Sequence, residues 1–104
     1  MIRVIALYSN KPGAKFDFKY YTEKHMAMAK EKLKPYGLVR VEVDKGVSGL
    51  TAAVPAPYVA IGQVVFHSLE ELQKGLAAHG QELMSDIPNY TNIEPQIQIS
   101  EIVS

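Results

Sequence analysis

The 104-residue chain lacks cysteine, tryptophan and an excess of either charge. Without cysteine it can form no disulfide, thiolate nucleophile or cysteine-ligated metal site. Lysine plus arginine and aspartate plus glutamate number 11 each, so the formal net charge is zero. A neutral chain has no basic excess of the kind that attracts nucleic acid, and we predict no nucleic-acid partner.

Long apolar runs are absent as well. No stretch approaches the ~20 residues that a membrane-spanning helix needs. The opening segment, IRVIALY, lacks the basic region and the long apolar core of a signal peptide. We therefore expect a cytoplasmic protein with no membrane partner, and residues 1–104 have the length of a single domain.

Cofactor and metal motifs are also missing. The sequence contains no phosphate-binding loop, dinucleotide fingerprint or serine-nucleophile motif. Its histidines, His25, His67 and His79, do not have the i, i+4 or His-x-His spacing that places two ligands on one ion. We predict neither a cofactor nor a metal site.

The apolar and turn-forming residues that are present alternate in blocks and predict the order βαββαβ. Asp17 can cap a first helix that runs to about Lys34, and Ser68 with Glu71 forms a capping box before a second helix. Two glycines in the second helix, at 75 and 80, each weaken it by about 1 kcal/mol relative to alanine, so a break or kink is expected. The predicted strands span 2–8, 38–46, 58–67 and 96–104, and a loop spans 86–95. This pattern indicates an α+β, ferredoxin-like fold with a four-stranded antiparallel sheet.

The predicted sheet carries more apolar surface than helices on one side can cover. Its first and third strands have isoleucine, leucine, valine or phenylalanine on both faces, and in the last strand Gln96 and Gln98 alternate with Ile97 and Ile99. A monomer would expose too much of this surface. We predict a homodimer in which two sheets pack face to face. The glutamine side chains can hydrogen-bond in that interface or near its rim, and a solvated sheet edge is the alternative explanation for them.

A histidine interrupts the apolar face of the first helix. At about 100° per residue, Phe18, Tyr21, His25 and Ala29 share one arc, with Met28 on its shoulder. The buried ring of His25 is either a core histidine with both nitrogens bonded or a pocket residue that transfers protons near neutral pH.

In the second predicted strand, apolar and polar residues alternate. We expect Val39, Val41 and Val43 to share one face of this strand.

The chain contains two separated motifs, FDFKYYTEKHM (16–26) and HGQELMSDIPNYTNIEP (79–95). Together they resemble the EthD family, which is named for ethyl tert-butyl ether degradation. The first strand, which ends in Leu7-Tyr8 before an Asn, Pro and Gly turn, is similar too. Ala27 departs from the family pattern, in which proline often follows His-Met.

The resemblance implies a dimeric α+β barrel with a cleft between sheet and helices that holds a small, largely apolar, oxygenated molecule. It implies His25 as an acid/base catalyst, with Tyr21 as a second catalytic residue. For Tyr20 a surface position is the alternative. The resemblance also implies that Asp86, Asn89, Tyr90 and Thr91 close one end of the cleft, for which turn chemistry is the alternative. Our candidates for substrate binding are Phe18, Tyr20, Met28, His79 and Tyr90.

Three functions stay open. A cofactor-independent isomerase, cyclase, lyase or monooxygenase would use His25 to move a proton while a tyrosine hydroxyl stabilises an oxyanion. A non-catalytic metabolite-binding or accessory protein would need the same pocket without a reactive histidine. The third is a haem-binding barrel, because related haem-degrading barrels place an axial histidine on the second helix, where His79 lies. Those enzymes also resemble one another in having a tryptophan, and this chain has none.

Overall fold

Four strands form one antiparallel sheet in the order β2-β3-β1-β4, and helices cover one of its faces. The computed structural model describes residues 1–104. It confirms the predicted α+β, ferredoxin-like fold. None of its helices combines the length and the hydropathy that crossing a bilayer requires. The strands are β1 (Ile2–Ser9), β2 (Leu38–Lys45), β3 (Tyr58–Phe66) and β4 (Gln96–Glu101), and the α-helices are α1 (Phe18–Tyr20), α2 (Met26–Leu33) and α3 (Leu69–Asp86).

The two faces of the sheet have different surroundings, and the central strand β1 contributes side chains to both. It pairs antiparallel with β3 on one side and β4 on the other. Because side chains alternate along a strand, Val4, Ala6 and Tyr8 point toward the helices, whereas Ile5 and Leu7 point to the opposite face. No element of the chain lies over that opposite face, which we call the open face.

The edge strand β2 departs from the predicted alternation. We expected Val39 to share a face with Val41 and Val43. A register shift between Leu38 and Arg40 makes Val39 the extra residue of a bulge, and its side chain is exposed. The prediction for Val39 was wrong because the extra residue of a bulge interrupts the regular alternation of side chains between the two faces of the sheet.

The first helical region is not one continuous α-helix. It begins as predicted, with the Asp17 carboxylate accepting a hydrogen bond from the Tyr20 amide at 3.0 Å. Residues Tyr21–His25 then form a π-helical turn, in which the Met26 amide bonds to the Tyr21 carbonyl five residues earlier. Turns of this kind inside helices occur frequently at functional sites. This turn begins and ends with the two predicted catalytic residues.

Helix α3 is unbroken, although its glycines led us to expect a break or kink. Ser68 caps it as predicted: the Glu71 amide donates to Ser68 Oγ at 3.2 Å, and that hydroxyl donates to the Glu71 carboxylate at 2.9 Å. Gly75 permits close packing, because a Cβ there would lie 3.2 Å from the Leu33 side chain. Tertiary packing therefore offsets the weak helix propensity of Gly75, while Gly80 has no such packing neighbour.

The segment 86–95 is more ordered than the loop we predicted. Residues Ile87–Asn89 form a 3-10 turn after α3, and Thr91 forms a β-bridge with Phe16. Strand β4 ends at Glu101, short of the chain terminus. The bridge holds the segment after α3 against the segment before α1, so the two EthD-like motifs meet in the folded chain.

Candidate active site

A cavity of about 250 Å³ lies between the sheet and the helices. Fourteen of its 17 lining residues are hydrophobic. Strands β1 and β3 form its floor, and the π-helical turn, α2 and α3 form its walls. The lining residues Leu76, Met84 and Ile97 are 37%, 54% and 48% exposed, so the cavity opens to solvent between α3 and the edge strand β4.

His25 lines this cavity and is only 8% exposed. Its Nδ1 lies 2.9 Å from Oδ2 of Asp86, the last residue of α3. A carboxylate accepts hydrogen bonds, so Nδ1 carries the proton of the neutral ring and Nε2 is the unprotonated nitrogen. Nε2 makes no hydrogen bond within the protein. One nitrogen of His25 is therefore fixed by Asp86, and the other is left for a ligand.

Two tyrosine rings hold the imidazole in place. Tyr21 stacks on His25 with ring centroids 5.3 Å apart and an interplanar angle of 15°. The ring of Tyr90 contacts His25 from another direction, at a centroid distance of 4.8 Å. With the Nδ1 hydrogen bond, these contacts leave the imidazole little freedom to turn.

The Asp86 carboxylate joins three donors. Besides His25, it accepts hydrogen bonds at Oδ1 from the Tyr20 hydroxyl at 2.7 Å and from the Asn89 amide at 2.9 Å. Desolvation by burial alone would raise the pKa of Asp86, but the hydrogen bonds from Tyr20, Asn89 and His25 together hold this pKa below its usual value. Asp86 is thus ionised at neutral pH and can stabilise a protonated His25.

Tyr8, Tyr21 and Tyr90 bring three hydroxyl groups to the residues that line the cavity. The Tyr8 and Tyr90 hydroxyls are 2.7 Å apart and hydrogen-bonded. Burial raises the pKa of Tyr8, and hydrogen bonds to Tyr90 and Tyr21 offset part of that rise. Burial is also the main cause that raises the pKa of Tyr21 and of Tyr90. All three hydroxyls therefore stay neutral at physiological pH.

The floor of the cavity requires a glycine. A Cβ on Gly62 of β3 would overlap the Tyr21 hydroxyl and lie 3.1 Å from Met26 Cε. The Tyr21 hydroxyl can lie directly against β3 only because position 62 has no side chain.

Of the residues that we predicted for the site, the structure brings His25, Tyr21 and Tyr90 together at the cavity. Their assigned chemical roles stay predictions. The other candidates, Phe18, Tyr20, Met28 and His79, do not line it.

Each of these four candidates has another environment. Tyr20 lies behind the site, where its hydroxyl donates to Asp86. The ring of Phe18 packs against that of Phe16 at 4.7 Å. Met28 is half-buried on α2.

His79 is bonded on its own helix, with Nδ1 2.9 Å from a carboxylate oxygen of Glu82. Its ring lies edge-on to that of Tyr36. No three potential metal ligands lie together anywhere in the chain.

Sequence reasoning considered Asp86 only as a residue that closes one end of the cleft, and it did not assign Tyr8 to the site. Both lie in segments that resemble the EthD family, which was the only available signal. Asp86 was open to explanation as a turn residue, and it does bond Asn89 three residues later. Its contact with His25 joins residues 61 positions apart, and no local pattern reports such a contact.

Comparison with known proteins establishes the family. No family model and no curated protein matches the sequence. An EthD-like protein from Ralstonia eutropha JMP134, with a crystal structure, is 37% identical; the match covers 99% of this chain and 92% of that chain, with a TM-score of 0.90. The chain belongs to the EthD family.

More distant structures share the fold of this EthD family member. An ethyl tert-butyl ether degradation (EthD) family protein from Bacillus halodurans C-125 is 19% identical, with 99% of each chain covered and a TM-score of 0.69. A dimeric ferredoxin-like protein from an uncultured marine organism is 16% identical, with 99% of this chain and 94% of that chain covered and a TM-score of 0.54. At these identities the likeness concerns the fold alone.

Proposed function

We propose that this EthD family protein binds a small, largely apolar, oxygenated molecule in the cavity and moves one of its protons with His25. The observation that carries the proposal is the His25–Asp86 hydrogen bond at 2.9 Å beside an apolar cavity. An apolar pocket with a few convergent polar groups is the usual form of a small-molecule site.

The pairing of His25 with Asp86 suits a general base. With Nδ1 bonded to the carboxylate, the neutral ring of this cavity-lining histidine keeps the lone pair of Nε2 for a ligand. When Nε2 takes a proton, the ring becomes cationic beside an ionised Asp86, which stabilises it in the poorly solvated site. The same ring then returns the proton as a general acid, so no cofactor is needed for the step.

The volume of the cavity bounds the ligand. An apolar cavity of about 150 Å³ holds benzene, and drug-sized ligands occupy roughly 300–1,000 Å³. At about 250 Å³, this cavity lies between the two. We expect a ligand of about one or two rings that offers at most a few polar atoms.

Replacing His25 by glutamine tests the catalytic role. Binding is followed through the fluorescence of 1-anilinonaphthalene-8-sulfonate and its displacement by a panel of cyclic lactones, ketones and phenols. Turnover of the compounds that bind is followed by proton NMR in D₂O as deuterium incorporation or product formation. His25→Gln should retain displacement and lose turnover by about 100- to 10,000-fold.

The outcome also separates the enzyme from a non-catalytic binding protein. If the wild-type protein binds members of the panel and leaves all of them unchanged, the protein is a carrier or accessory protein. If His25→Gln turns them over as fast as the wild type does, another group moves the proton. The same assay distinguishes isomerisation, cyclisation, lyase and monooxygenase products.

We further propose that two copies pair through the open face. This face carries Ile5 and Leu7 of β1 beside Ile61 of β3, with no element of the chain covering them. It also contains the Nε atom of Arg3, which is buried and has no hydrogen-bond partner within the chain. An unpaired buried donor costs about 1–3 kcal/mol, which an acceptor from a second copy would relieve. A dimeric ferredoxin-like protein shares the fold, which supports the pairing of two copies.

The molar mass in solution tests the dimer. Light scattering after size-exclusion chromatography should give about twice the 11.5 kDa of one chain. Leu7→Arg should halve this mass, whereas Val47→Arg, at a residue that is 92% exposed in the loop before β3, should leave it unchanged. A wild-type protein of single-chain mass at micromolar concentration would contradict the proposal.

A further inference from the structure

Tyr8 and Tyr90 bring to the cavity lining a pair of hydrogen-bonded hydroxyls to which the proposed function gives no role. Both residues line the cavity, and they are 2% and 3% exposed. The two hydroxyl oxygens lie 2.7 Å apart, and neither hydroxyl bonds a backbone carbonyl or a carboxylate. In this hydrogen bond one hydroxyl donates and the other accepts, so the pair still has one O–H to place.

Counting protons shows what the pair offers. Each neutral phenol has one O–H, so two hydroxyls carry two protons, and only one of them lies between the two oxygens. The second O–H remains without an acceptor in the pair. The hydrogen bond that its oxygen accepts from the other tyrosine polarises this O–H and makes it a better donor. Tyr21, whose hydroxyl lies near Tyr8, can extend this chain but, as a third phenol, leaves one proton over as well.

We infer that the Tyr8–Tyr90 pair binds a carbonyl oxygen and that the ligands are small cyclic ketones or lactones. This inference rests on the proposed function in that it places the ligand in the same cavity. A carbonyl oxygen is an acceptor with no proton of its own, and it therefore matches a site with one spare donor. A hydrocarbon of the same shape would leave that donor unpaired, which disfavours its binding.

The assignment of a carbonyl ligand identifies which proton His25 would transfer. His25 Nε2 takes a proton from the carbon next to the carbonyl, so the C–H bond breaks and its electron pair moves toward the oxygen. The resulting enolate oxygen accepts the hydrogen bond from the tyrosine pair more strongly than the ketone did. His25 then returns a proton to carbon, and no oxidant or reductant is consumed. The ring contact between His25 and Tyr90 places the base and the donor pair beside each other.

The test compares 1-tetralone with tetralin, which has the same two-ring skeleton without the oxygen. Displacement of 1-anilinonaphthalene-8-sulfonate measures their affinities for the wild type, for Tyr8→Phe, for Tyr90→Phe and for the double variant. The wild type should prefer the ketone over the hydrocarbon by about 2- to 12-fold, the range of one net hydrogen bond. Each single variant should keep part of the preference, because one O–H remains, and the double variant should lose it.

Two controls separate this inference from the catalytic proposal. Tyr36→Phe removes a hydroxyl outside the cavity and should keep the preference of the wild type. His25→Gln should also keep the preference while losing deuterium exchange at the carbon next to the carbonyl. Failure of exchange in the wild type with the preference intact would refute only the catalytic role. A wild type that binds both compounds equally, or a folded double variant that still prefers the ketone, would overturn the carbonyl subsite.

Discussion

Replacing Asp86 by asparagine changes a single charged group and tests how the site is organised. The carboxylate receives three donors: His25 at Oδ2, and Tyr20 and Asn89 at Oδ1. An amide has one oxygen and a donating NH₂ group, so it cannot accept from both sides. In Asp86→Asn, either the His25 Nδ1–H or the pair of donors at Oδ1 must face the NH₂ group.

The expected loss of stability follows from the hydrogen bonds. A hydrogen bond to a charged group contributes about 1.5–3 kcal/mol, and part of the network survives in the amide. We expect a loss of about 2 kcal/mol, which lowers the melting temperature of a domain of this size by roughly 8–16 °C. Asp44→Asn, at an exposed carboxylate on β2, is the matched control and should change the melting temperature little.

The stability should also depend on pH in a defined direction. Folding lowers the pKa of Asp86, so its ionised form contributes stability above about pH 4, its unfolded-state range, and this contribution is lost as the pH falls through the lower folded pKa. The difference in unfolding free energy between wild type and Asp86→Asn should therefore be constant near neutral pH and narrow below about pH 4. Urea unfolding at a series of pH values measures this difference.

The effect on proton transfer should be large and specific. Without the carboxylate, His25 loses the group that fixes its tautomer and stabilises its cation, and deuterium exchange should fall by about 100- to 10,000-fold. Binding of 1-anilinonaphthalene-8-sulfonate should stay within about twofold, because the apolar lining is unchanged. If Asp86→Asn exchanges protons within a few-fold of the wild type while His25→Gln does not, then Asp86 does not act on the reaction.

The cavity glycines and the α3 cap provide further tests by thermal unfolding and probe binding. Gly62→Ala should destabilise the protein by about 1–3 kcal/mol and weaken probe binding, because the added Cβ displaces the Tyr21 hydroxyl; an unchanged melting temperature would contradict this packing. Gly80→Ala should stabilise α3 by up to about 1 kcal/mol, since its Cβ meets only Leu76 at 3.6 Å; a destabilised variant would contradict it. Gly80→Phe should slow association of the probe by narrowing the cavity mouth, and an unchanged rate would place the entrance elsewhere. Ser68→Ala should cost about 1 kcal/mol through loss of the cap, and no loss would mean that the cap is energetically neutral.

Local patterns in the sequence were sufficient for the order of the elements. Apolar alternation identifies strands, and the Asp17 and Ser68 caps sit where the structure has them because a cap bonds to an amide only three residues away. The same local reasoning failed at Val39 and in the glycine-containing α3. In these places strand register and helix packing, which involve distant residues, outweigh the local preference.

The site shows the same division between local and distant information. The period of the first helix was enough to point His25 and Tyr21 toward the sheet, and this holds in the fold although a π-helical turn lies between them. No sequence pattern predicts the hydrogen bond between His25 and Asp86, which are 61 positions apart. The same is true of the hydrogen bond between Tyr8 and Tyr90, which are 82 positions apart. Sequence alone determined which residues carry chemistry and which side of the helix they occupy, because those depend on neighbours along the chain. Only the tertiary structure decided which acceptor holds the imidazole and which hydroxyls share its cavity, because such pairs form only when the two ends of the chain pack on one sheet.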